Sequence, residues 1–144
     1  MKKMTPKQRA TKCAEVLWAA DRASQLLGIE IRDVDAGCAE LRMEVRPEHC
    51  NGHGICHGGF TFTLADCAFA FACNSRNQAT VAQHNTISYI APGREGDVLR
   101  AVASEVTLSG RSGVYDVTVY NQTDEIVAVF RGASRAIKGQ VFPE

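Results

Sequence analysis

A chain of 144 residues, 45% apolar and 22% charged, is long enough to bury one sizeable core. Its formal net charge is zero, so no overall field draws it to nucleic acid or to an anionic membrane. It has no run of about 20 apolar residues to span a bilayer, and its six cysteines follow a basic N-terminal stretch with no apolar signal segment, which predicts a cytoplasmic protein with free thiols rather than a secreted disulfide scaffold.

Residues 6–27 predict a surface helix. Val16, Leu17, Ala20, Ala23, Leu26 and Leu27 fall near one stripe, with Lys7, Arg9, Lys12, Glu15 and Arg22 elsewhere. Gly28 is its expected C-terminal cap. Over residues 39–45, Ala39, Leu41, Met43 and Val45 alternate with Glu40, Arg42 and Glu44, the period of a half-buried strand; Pro47 ends it. A polar, glycine-dense loop over residues 48–59 then runs into a segment apolar on nearly every face. That segment reads as a buried helix ending near residues 74–77. Four strand-like runs follow, over residues 80–90, 98–108, 114–121 and 125–137. The turns between them are rich in Gly, Asn and Asp, which predicts an antiparallel meander. In the third run Tyr115, Val117 and Val119 share one side, and Val114, Asp116, Thr118 and Tyr120 the other. The order predicts a single α+β domain over residues 1–144, with a five- or six-stranded antiparallel sheet wrapped on a central helix.

Chemistry concentrates at the start of that helix. If it begins near Gly58, its first N–H groups have no intrahelical acceptor and sit at the positive end of the dipole, where an oxyanion or phosphate is favoured. Glycines at 58 and 59 let a carbonyl approach the backbone; the plainer reading of His57-Gly58-Gly59 is a tight turn. Asp66 stands among Leu64, Ala65, Cys67, Ala68 and Phe69. A carboxylate in such surroundings needs a partner or a task, and a raised pKa suits a general base or a nucleophile. Its plain alternative is a carboxylate satisfied by a backbone or hydroxyl group.

Gly58 and Asp66 are eight residues apart, ~12 Å along a helix axis. A base and an oxyanion donor must each lie within ~3 Å of the reacting group. Two antiparallel helices across a two-fold axis bring one chain's glycine to the other chain's carboxylate. If both groups are catalytic, the spacing therefore predicts sites at a homodimer interface.

Asn51 can orient a water or a carbonyl, or simply form a turn; His57 can donate a hydrogen bond or fix the loop. His49, Cys50, His53, Cys56 and His57 are all zinc-ligand types within nine residues. No Cys-x2-Cys pair or second ligand pair at zinc-finger spacing accompanies them, so no metal is expected. Arg94, Arg111, Arg131 and Arg135 are candidates to hold the phosphates of an anionic ligand, or are ordinary surface charge.

Asn51-Gly52, His57-Gly58-Gly59, Leu64-Ala65-Asp66 and Ala68-Phe69-Ala70 occur in order. Phe71-Ala72-Cys73-Asn74-Ser75, Pro92-Gly93, Gly96-Asp97, Gly113-Val114-Tyr115-Asp116-Val117 and Phe130-Arg131-Gly132 follow. This set resembles the hot-dog-fold acyl-CoA thioesterases, most closely their phenylacetic-acid-degradation (PaaI-like) branch. The resemblance implies a curved antiparallel sheet around the central helix, dimers with a continuous sheet, and dimers paired into tetramers. It implies hydrolysis of an acyl-CoA to free acid and coenzyme A, with phenylacetyl-CoA or hydroxyphenylacetyl-CoA suggested by the branch, and no bound cofactor. By the same resemblance Gly58 supplies the oxyanion N–H, and Asp66 of the second chain is the base or nucleophile. Asn51 and His57 are then positioning residues. Gly59 at the helix start and the basic residues Arg111 and Arg131 are, on the reading of the residues themselves, the candidates for binding substrate. Some relatives place water with a hydroxyl residue on the first strand after the helix. Ala82 stands there in this chain and leaves more of that task to Asn51.

A thiolate leaves readily, so one oxyanion donor and one carboxylate can suffice for a thioester. Attack by Asp66 itself and attack by a water that Asp66 deprotonates both fit. One rival is a hydratase or dehydratase on a 3-hydroxyacyl thioester, using His57 and Asp66 across the dimer. Another is a non-catalytic acyl-CoA sensor, a role that normally comes with a DNA-binding module absent from this sequence.

Overall fold

Burial of one long apolar helix organises the chain. The computed structural model describes residues 2–144. Two N-terminal helices, α1 (Pro6–Ala20) and α2 (Arg22–Leu26), precede strands β1 (Glu30–Asp35) and β2 (Cys38–Glu44). The long helix α3 (Gly58–Cys73) follows. Then come β3 (Thr80–Tyr89), β4 (Val98–Ser109), β5 (Ser112–Tyr120) and β6 (Ile126–Ala136). The six strands form one antiparallel sheet in the order β1-β2-β4-β5-β6-β3, the expected α+β hot-dog arrangement.

The inner face of the sheet is built by alternation. Leu41 lies opposite Ala101, Ala101 opposite Val119, and Val119 opposite Ala128. Against this layer α3 buries Leu64, Ala65, Ala68, Phe69, Phe71 and Ala72. Tyr115, Val117 and Val119 point inward from β5, as their alternation predicts. The Phe69 ring packs edge-on against Tyr115, with centroids 5.6 Å apart, and lies directly over the backbone of Gly132. A Cβ on Gly132 would sit 2.8 Å from two carbons of that ring. Gly132→Ala is therefore expected to destabilise the fold by roughly 1–3 kcal/mol through overpacking, read as a lower urea midpoint.

Two expectations are corrected. The predicted helix over residues 6–27 is two helices. Asp21 interrupts it, because its carboxylate accepts from both the backbone N–H (3.0 Å) and the hydroxyl (2.6 Å) of Ser24 and so caps α2. The buried side is Ala10, Cys13 and Ala14 rather than the predicted stripe, and Leu26 is 77% exposed. Gly28 does end α2, at φ +73°. The meander is also only partial: β4, β5 and β6 are consecutive neighbours, but β3 pairs with β6. The edge of β4 that β3 would need is occupied by β2, with Met43 opposite Leu99. The segment over residues 90–97 is thus a crossover along the end of the sheet, and β3 is left as an edge strand. Strand β1 is not legible in the sequence, since Val34 is its one buried residue.

Candidate active site

The loop before α3 is held at both ends. His49 is buried, its Nδ1 accepts the backbone N–H of Arg46 at 3.0 Å, and its ring packs on Phe60 with centroids 5.3 Å apart. Burial pushes the His49 pKa down, so it is a neutral anchor. Hydrogen bonds from His57 N to His49 O (2.8 Å) and from Asn51 N to Ile55 O (2.8 Å) close a small hairpin. The crossover clamps the hairpin through Cys56 N to Gly93 O at 2.7 Å.

This hairpin delivers His57 as the N-cap of α3. Its Nδ1 accepts the Gly59 N–H at 2.9 Å, and its carbonyl accepts from Phe60 (2.9 Å) and Thr61 (3.3 Å). Among the described residues nothing accepts the N–H of Gly58. One backbone donor at the positive end of a 16-residue helix is therefore left open. It borders a groove of about 500 Å³ lined by Asn51, Ile55, Thr61, Tyr89 and Val127 along with Gly58. Tyr89 donates its hydroxyl to the Gly58 carbonyl at 2.9 Å, and a Cβ on Gly58 would lie 3.0 Å from the Tyr89 ring. The bare backbone of Gly58 keeps this approach open. Asn51 spends its side-chain oxygen inside the loop, accepting from His53 N at 2.9 Å; its amide nitrogen has no acceptor among the described residues.

Asp66 lies two turns further along α3 and does not line this groove. It is half-buried, and burial raises its pKa. A hydrogen bond of 3.2 Å from Asn85 Nδ2 opposes that rise. Asn85 is the residue that sequence reasoning missed. A β-bulge at Gln83 decides its direction: Ala82 pairs with Ser134, His84 with Ala133 and Asn85 with Gly132. The inward phase thus moves from Ala82 to Asn85, and a bulge leaves no signal in hydrophobic periodicity. Asn74 was also missed as a joint. It accepts Thr80 N (2.9 Å) and donates to Thr80 O (3.0 Å), fastening the end of α3 to the start of β3.

Of the predicted residues, Gly58 and Asn51 meet in one groove with His57 beside them, while Asp66 stands apart. The Gly59 N–H is taken by His57 rather than open. Arg131 projects from the outer face of the sheet and makes a two-pronged ion pair with Asp116 (2.7 and 2.8 Å), which lowers the Asp116 pKa. Arg111 lies in the β4–β5 turn beside the start of β3, where its carbonyl accepts Ala136 N; Gly58 sits by the end of β3. Among the described residues no group of three or more His, Cys, Asp or Glu is placed to hold a metal ion. No helix among them is long and apolar enough to cross a membrane.

Comparison with known proteins places this geometry. The sequence profile of the thioesterase superfamily matches residues 53–128. The chain is 42% identical over 136 residues to the acyl-coenzyme A thioesterase PaaI of Escherichia coli, covering 94% of this chain and 97% of that one. The solved structure of the E. coli PaaI protein, from the phenylacetic acid degradation operon, superposes with a TM-score of 0.93 over 94% of this chain and 99% of the other. The N33D mutant of the phenylacetic acid degradation protein PaaI of Thermus thermophilus is 37% identical, with a TM-score of 0.79 over 81% and 100% of the two chains. A Streptococcus mutans protein, smu.793, solved bound to acetyl CoA, is 27% identical with a TM-score of 0.75 over 78% and 90%.

Proposed function

Because the chain belongs to the thioesterase superfamily, we propose that it hydrolyses acyl-coenzyme A thioesters, with phenylacetyl-CoA or hydroxyphenylacetyl-CoA as the substrate. The observation that carries the reading is the open N–H of Gly58, a residue that lines the groove. A thioester carbonyl oxygen set there gains its hydrogen bond most strongly as it becomes an oxyanion. Asp66 of a second subunit then takes a proton from water as the water oxygen bonds to the carbonyl carbon. Collapse of the tetrahedral adduct breaks the C–S bond, and the thiolate departs with its electron pair. Direct attack by the Asp66 carboxylate, giving an anhydride that water later opens, uses the same two groups. Asn51 and His57 hold the entry loop and the helix start in place for either route.

The shared site rests on two features. One is β3, a ten-residue edge strand whose outer backbone edge has no partner strand among the described residues. The other is the side of α3 carrying Thr63, Asp66 and Ala70, which the sheet leaves half-uncovered. Antiparallel pairing of β3 with its copy gives both a cover. It also sets the start of one β3 beside the end of the other, which carries the second subunit's Arg111 toward the Gly58 end of the first. There Arg111, with no side-chain partner among the described residues, suits a coenzyme A phosphate. Arg131, already paired with Asp116, suits it less. The dimers are taken to pair into tetramers in the cytoplasm, where the six free cysteines stay reduced.

The acyl group is assigned from the likeness to the phenylacetic acid degradation proteins and from the apolar lining of the groove by Ile55, Ile90 and Val127. A thiol-release assay over aryl, short-chain and medium-chain acyl-CoA thioesters tests it. The expected result is the highest kcat/KM for an arylacetyl-CoA. Preference for a straight-chain substrate refutes the acyl assignment. Consumption of crotonyl-CoA without free thiol identifies a hydratase, and binding without turnover identifies a sensor.

A further inference from the structure

We propose that Asn85 is the positioning residue of Asp66: its amide N–H aims the carboxylate and keeps it ionised for the reaction. This rests on the reading of Asp66 as the base or nucleophile and extends it. The two side chains meet across the α3–β3 contact, with Asn85 Nδ2 donating to Asp66 Oδ1 at 3.2 Å. That bond engages one carboxylate oxygen and leaves Oδ2 for water or for the thioester carbon.

Packing alone does not explain an amide here. Asn85 Oδ1 is buried and has no donor among the described residues, a loss that an apolar side chain of the same shape would avoid. Asn85 faces α3 only because the bulge at Gln83 turns it inward. The backbone irregularity turns the side chain toward α3, the one bond it makes is to Asp66, and the unsatisfied oxygen is the cost of placing an amide there. Ala82, also on the inner face opposite Ser134, offers no hydroxyl, so the polar contact on this strand comes from Asn85.

Burial raises the Asp66 pKa and the Asn85 bond lowers it. The other titratable groups around Asp66 are the thiols of Cys67 and Cys73 on α3. Burial pushes these up to about 11 and about 12, so they stay neutral at working pH. No charged side chain among the described residues bears on the carboxylate. Removing the Asn85 N–H therefore moves the Asp66 pKa upward.

The test is the pH dependence of kcat/KM for phenylacetyl-CoA hydrolysis in Asn85→Leu and Asn85→Thr, followed by chromatographic release of coenzyme A. Asn85→Ala replaces the leucine variant if that one does not fold. The acid limb of the leucine variant is expected to move up by about one pH unit or more, a tenfold loss below the wild-type limb. Threonine, which restores a donor, should bring the limb back toward wild type. An acid limb that coincides with wild type in a folded leucine or alanine variant overturns the role of Asn85. So does an equal displacement in the threonine variant. In those cases Asp66→Asn remains inactive and the Asp66 reading survives. Full activity in Asp66→Asn instead removes the reading itself, and the proposal with it.

Discussion

Asp66→Asn is expected to lower turnover by ~10²- to 10⁴-fold, the span general-base removal commonly produces, while the protein becomes more stable. Both effects have one cause. Asp66 sits on a helix whose neighbouring surface is apolar, and burial raises its pKa. A carboxyl group whose pKa is higher folded than unfolded favours the protonated form in the fold. Its contribution is fully present below the unfolded value, about 3.9, and is lost as pH rises through the folded value. At neutral pH the wild-type chain thus carries the cost of an ionised, half-buried carboxylate. Asparagine has no charge to desolvate, and its amide can donate to the buried Asn85 oxygen that otherwise has no partner. The thermal midpoint of Asp66→Asn should exceed that of wild type at pH 7, and the advantage should shrink as the pH falls toward 4. Loss of activity with a lower midpoint at pH 7 would show that the carboxylate holds the fold together, and near-normal turnover would sink its catalytic role.

The parts of this fold that follow period and punctuation are legible in the sequence. Residues 39–45 alternate, and Ala39, Leu41 and Met43 are buried in β2. The apolar run after His57 is α3, and glycine and asparagine turns separate β4, β5 and β6. What is not legible depends on partners distant in the chain. The pairing of β3 with β6 follows from the claim of β2 on the edge of β4, which no local signal records. The break at Asp21 depends on whether an Asp and a Ser three residues apart cap a helix or merely lie on it. The site divides the same way. Gly58 and Asp66 stand out because each is chemically odd for its setting, a bare backbone at a helix start and an acid in an apolar run. Asn85 does not, because an asparagine in a strand-like segment is unremarkable until a bulge turns it onto a carboxylate 19 residues away.

Equal co-expression of Gly58→Pro with Asp66→Asn should recover activity that neither variant has alone. Gly58 is the first residue of α3, the position where proline is best tolerated because its missing N–H had no intrahelical acceptor. The residue before a proline must be extended, and His57 already is, at φ −59° and ψ 131°. The substitution thus deletes the candidate oxyanion donor and keeps the helix start. Its expected loss is ~10²- to 10³-fold in kcat. The added ring atoms press on the end of Tyr89, which is 54% exposed and able to move. Gly58→Ala presents a similar Cβ but keeps the N–H, and a much smaller loss there separates the donor from the bulk. In a mixed dimer, the Asp66→Asn chain supplies an intact Gly58 to one site and the Gly58→Pro chain an intact Asp66 to that same site; the other site lacks both. Random pairing makes half the dimers mixed, and half of their sites work, so recovery should approach roughly one quarter of wild-type activity for isologous dimers. If each site were built within one chain, no mixed dimer would hold an intact site and co-expression would recover nothing. The ~12 Å that a helix puts between residues 58 and 66 is the physical reason to expect recovery: one rigid helix cannot present its start and its third turn to the same carbonyl carbon, but two antiparallel ones can.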